Sequence, residues 1–140
     1  MATVELRFSA LPEHVRTARL VAAAVARRAG VDEAVLDEVR LAVGEACTRA
    51  VGLHQTAGIA QPVRVALVEE EKQFSIEVGD EAPRVVPADA SGGRPGVGED
   101  PEAEGEDEMG LAVISGLVDD VEVTANESGG LIRMTWPTTP

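Results

Sequence analysis

Cysteine occurs once in the 140 residues, at Cys47, which excludes an internal disulfide and a thiolate zinc cluster. Within an apolar helical stretch it reads as a small core residue rather than a nucleophile. Aromatic residues make up 2% of the chain against 44% for all hydrophobic types, so aliphatic side chains and alanine must fill the core. No run of 18 apolar residues and no basic-apolar leader is present, which predicts a soluble, cytoplasmic protein. Positive charge is scarce too: 12 Lys and Arg face 25 Asp and Glu, for a net charge of −13. That balance argues against nucleic acid or an anionic membrane as the main partner and suits a protein with a basic face. The two histidines, His14 and His54, are far apart in the chain and suggest no shared metal. The length fits one domain, residues 1–140, with one core.

What is present follows clear periods. Val4, Leu6 and Phe8 alternate with Thr3, Glu5 and Arg7, a half-buried strand over Thr3 to Ser9. Pro12 opens a helix whose apolar stripe is Leu11, Val15, Ala18, Ala22, Val25 and Ala29, ended by Gly30. A central helix follows from about Asp32 to His54. Leu36, Val39, Val43, Ala46 and Ala50 recur at spacings of three and four, one buried stripe. Asp32 can cap it, and Glu33, Asp37 and Glu38 suit the positive helix start. Glu45 and Arg49 lie on another face one turn apart, the spacing of a surface ion pair.

Val63, Val65 and Leu67 mark a second strand, and Phe74, Ile76 and Val78 a third. From Glu81 to about residue 108 neither period survives. Proline and glycine recur there, and residues 99–108 hold seven carboxylates. This predicts a mobile lid loop over residues 81–108. Met109 to Val118 reads as a short apolar helix. Val121 and Val123 form a strand, residues 126–130 a turn, and Leu131 to Trp136 the last strand, stopped by Pro137. The order predicts an α+β two-layer sandwich, a mixed, mainly antiparallel sheet with helices on one face.

The wording of the central helix, Leu36-Asp-Glu-Val-Arg-Leu-Ala-Val-Gly-Glu-Ala-Cys-Thr-Arg-Ala50, resembles the phosphate-and-metal helix of the anti-sigma-factor serine kinases, within the histidine-kinase-like ATPase (GHKL) superfamily. The resemblance covers nearly the whole chain and implies that superfamily's fold. It makes Glu45 the general base. It asks for Asn, the magnesium-holding residue, where this chain has Arg49. Arginine offers donors only and cannot ligate magnesium, although it can pair with phosphate directly.

Two further stretches carry the likeness. Ile76-Glu-Val-Gly-Asp80 is similar to the strand leading to the family's adenine-reading Asp, but both following glycines are replaced, by Ala82 and Arg84. A strand-end Asp in an ordinary turn is the other reading of Asp80. Glu108-Met-Gly-Leu111 resembles the glycine turn that wraps the phosphates. It keeps Gly110 and Leu111, while its first glycine is Glu108. Two like charges ~4 Å apart repel by about 4 kcal/mol at an effective dielectric of 20, so acids here oppose phosphate.

The resemblance therefore implies an anti-sigma factor. Its partners would be a sigma factor and a STAS-type anti-anti-sigma protein, it would be a homodimer, and it would bind ATP or ADP weakly or not at all and without magnesium. The alternative is an active serine kinase that phosphorylates the STAS partner with Glu45 as base. A globular scaffold without partner switching is a third reading.

Overall fold

The computed structural model describes residues 2–82 and 111–138. In chain order they form β1 (Ala2–Phe8), α1 (Pro12–Ala29), a 3-10 turn (Glu33–Val35), α2 (Leu36–Ala57), β2 (Val63–Glu69) and β3 (Gln73–Asp80). A short helix, α3, spans 111–117, followed by β4 (Asp120–Asn126) and β5 (Gly129–Pro137). The expected lid falls outside the described residues except for Glu81 and Ala82.

The five strands form one sheet in the order β1-β2-β3-β5-β4. All four pairings are antiparallel, which narrows the expected mixed sheet to a uniformly antiparallel one. The period-2 pattern sets the register. Val4, Leu67, Ile76, Met134 and Val121 align in one row across the sheet, and Leu6, Val65, Val78, Ile132 and Val123 in the next. A slip of one residue would turn each row to the opposite face. The central members of both rows are fully or almost fully buried, while Val123 on the edge strand is 46% exposed.

Helix α2 lies chiefly on β3, and α1 packs on α2. All five predicted stripe residues of α2 are buried. The α1 stripe needs correction. Val15, Ala18 and Ala22 are buried as expected, but Ala23 and Ala26 complete the face, Val25 and Ala29 are half-buried, and Leu11 is exposed. Alanine at adjacent positions is small enough to enter the seam between helix and neighbour, so the true stripe drifts from the one drawn through the larger side chains.

Helices α1 and α2 each end where glycine takes a left-handed conformation, Gly30 at φ 104° and Gly58 at φ 66°. Asp32 caps the 3-10 turn rather than α2 itself, its Oδ1 accepting from Ala34 N–H at 3.0 Å. None of the described helices is long and apolar enough to cross a membrane.

Ile76→Ala should remove about 2–5 kcal/mol of stability in urea denaturation, because it empties the centre of the sheet core. Leu41→Ala, at a side chain that is 54% exposed, should change stability by no more than about 0.5 kcal/mol.

Candidate functional site

Asp80 is the last residue of β3 and is only 3% exposed. Three arrangements hold it there. Its own Oδ1 accepts the Ala82 N–H at 3.0 Å, closing a tight side-chain turn. Gly129, opposite the strand end, has φ 139°, and a Cβ at that position would collide with the Asp80 carbonyl oxygen. The next residue, Glu81, donates its backbone N–H to Nε2 of His54 at 2.8 Å. The Glu81 carboxylate also pairs with Arg64 of β2 at 3.2 Å, and Arg64 has room to lie across the sheet because Gly79 has no side chain.

The sequence reading missed His54 as a site residue. It is fully buried near the end of α2, and its Nδ1 lies 2.9 Å from the Gln61 carbonyl. A carbonyl can only accept and a backbone N–H can only donate, so the ring is neutral, with its proton on Nδ1. The signal was available: His54 continues the stripe of Val43, Cys47 and Ala50 at spacings of four, three and four. A polar ring on a buried stripe must find partners.

Glu45 and Arg49 are both half-buried on α2. Glu45 has no ion-pair partner among the described residues, and its carboxylate lines a groove of about 500 Å³ between α1 and α2. Arg16 and Arg19 of α1 line the same groove, with Leu41 beside them. Arg19 crosses directly over Gly44, where a Cβ would stand 2.8 Å from its Cδ. Neither arginine has a carboxylate within ion-pair distance among the described residues, although the chain is strongly acidic. Leu111 is the first residue of α3 and packs half-buried against the core. Gly110 and Glu108 lie outside the described residues.

Residues that would hold a magnesium nucleotide are therefore present only in part. Arg49 brings donors to a position that needs an oxygen ligand. One Asp80 oxygen is engaged by its own turn, and Ala82, 4% exposed, puts a buried methyl group where the resemblance requires glycine. The residues near Asp80 and position 49 do not fit that group.

Cys47 lies between Glu45 and Arg49 on the buried face. Desolvation pushes its thiol up to about 12. At pH 8 only about one thiol in ten thousand would be ionised. Iodoacetamide should leave Cys47 unlabelled in native buffer at pH 8 and label it fully in denaturant; rapid native labelling would contradict its placement. Gly129→Ala should cost about 2–4 kcal/mol by combining a forbidden backbone conformation with the Asp80 collision, measured by thermal or urea unfolding.

The model of the histidine kinase-like ATPase domain matches residues 8–136. Anti-sigma F factors of Bacillus thuringiensis and Bacillus cereus are each 30% identical over 128 residues, covering 91% of this chain and 86% of theirs. The crystal structure of the RsbU and RsbW domains of a Mycobacterium tuberculosis protein superposes with a TM-score of 0.70 at 15% identity. That match covers all of this chain but only 33% of the other, and it shows the shared fold. The antiparallel sheet, the buried α2 and these matches agree: the chain belongs to the anti-sigma-factor and serine-kinase family of the histidine kinase-like ATPase superfamily.

Proposed function

We propose that this protein is an anti-sigma factor that captures a sigma factor in the cytoplasm by protein contact alone. It yields that partner to a STAS-type anti-anti-sigma protein and works as a homodimer. Its nucleotide site is too altered for magnesium-dependent phosphoryl transfer. Relatives that are anti-sigma F factors support the capture of a sigma factor. The observation that carries the loss of chemistry is Arg49, a residue with donors only, at the position where the resemblance needs a metal ligand. Partner binding requires none of the nucleotide contacts, so capture can persist without catalysis.

The groove between α1 and α2 supports a docking face for that partner. Leu41, in the lining of the groove, is 54% exposed and offers apolar contact. Arg16 and Arg19 offer two cations free to meet carboxylates on the sigma factor. Reversing both, Arg16→Glu with Arg19→Glu, should weaken sigma capture by about tenfold or more while leaving the melting temperature nearly unchanged. Undiminished pull-down by the double variant would remove this face from consideration.

One observation favours the kinase alternative: the Glu45 carboxylate has no described ion-pair partner and is available as a base. Calorimetry with Mg-ATP, together with radiolabelled phosphate transfer to a STAS partner, separates the two readings. The expected result is weak or absent nucleotide binding and no transfer, with Arg49→Asn alone restoring neither. Micromolar binding with transfer that Glu45→Ala abolishes would establish the kinase instead.

A further inference from the structure

His54 joins the end of the α2 layer to two segments at the border of the sheet. It sits in the last turns of α2, it donates to the Gln61 carbonyl ahead of β2, and it accepts the Glu81 N–H beyond β3. The ring is fully buried, so water cannot replace either partner without local opening. Its Nε2 ties the Asp80–Ala82 turn to the helix layer. Other ties of that turn lie within the sheet, among them Asp80 to its own Ala82 N–H, Glu81 to Arg64, and Gly129 packed against the Asp80 carbonyl.

We propose that His54 is a proton-operated latch on the Asp80 turn. In the neutral ring Nε2 carries the lone pair that receives the Glu81 N–H. Adding a proton there sets one N–H against another and removes the acceptor, so the turn must separate from α2 to give both donors water. The sign is fixed by this geometry. The latch is closed when the ring is neutral and opens as pH falls.

Charged groups of both signs stand near the turn: Asp80 and Glu81 at the end of β3, and from β2 Arg64, which is bound to Glu81. Along α2, residues 50–58 carry no charged side chain, and the turn before β2 presents only the Gln61 carbonyl. The segment after β1, which meets the end of α2 through the Gln55 bond to the Ala10 carbonyl, brings Glu13 and His14; Glu13 is exposed in the first turn of α1, and the His14 Nδ1 lies on the Ser9 carbonyl. The opening is local in this reading because the Ile76–Met134 pair lies four residues inward of Asp80 along β3 and is held by the β3–β5 pairing itself. The inference does not require Asp80 to touch a nucleotide.

The test is amide exchange and imidazole nitrogen NMR on the full chain, followed from pH 8 downward and corrected for intrinsic exchange rates. At neutral pH the His54 ring should show the Nδ1–H tautomer. On acidification the Glu81 and Ala82 amides should lose at least tenfold in protection while the Ile76 and Leu67 amides keep theirs. His14→Asn should leave that transition in place. His54→Gln, which retains an uncharged acceptor, should abolish it; if that variant fails to fold, the His14→Asn protein decides the question alone. An Nε2–H tautomer at neutral pH, protection of Glu81 that persists until the sheet itself unfolds, or the same acid transition in His54→Gln would overturn the latch.

Discussion

The close seating of α2 on an antiparallel sheet is the constraint on which the rest of this fold depends. Ten of its residues are buried, and they include Ala42, Gly44, Ala46, Cys47 and Ala50. With so few aromatic side chains to fill space, the layers must approach one another, and small residues make that approach possible. The same seating decides which side chains can have chemistry. Glu45 and Arg49 emerge half-buried at the border of the seam, Cys47 is shut inside it, and His54 is carried into contact with the end of β3.

The Asp80 turn is held by a helix, a neighbouring strand and its own carboxylate, so several independent contacts fix its geometry. Preorganisation of this kind suits a surface that must present one shape to a protein. In the helix hairpin the reverse holds. Arg16 and Arg19 have no described intramolecular carboxylate to satisfy them, in a chain with about twice as many acids as bases. Cations left open in an acidic molecule cost nothing in water and become favourable when a partner supplies the anion.

Most of the fold was legible because its cues are local. Alternation placed the strands, and the three-four spacing placed the buried face of α2 residue by residue. The glycines at 30 and 58 stop helices for a conformational reason readable in sequence. The site was less legible. Asp80 and Glu45 were found through the wording of two short stretches, whereas His54 and Gly129 act on Asp80 from 26 and 49 positions away in the chain. No local period encodes such meetings. The α1 stripe misled for a related reason: alanine is compatible with every face, so its burial is decided by the neighbour and not by the pattern.

The register of β3 against β5 carries one more consequence, for how the chain can vary. Asp80 pairs with Gly130, so the chain that leaves β3 must return to the same place, some fifty residues later, before the sheet can close. The entropy of closing such an excursion rises only with the logarithm of its length, about 0.6 kcal/mol for each doubling. Within the excursion Ile114 and Val118 are fixed by burial in the core, and β4 by its pairing with β5. A change in the number of residues between Ala82 and Leu111 costs little closure entropy beside those contacts, so the length of the excursion can vary while the β3–β5 ladder stays as it is.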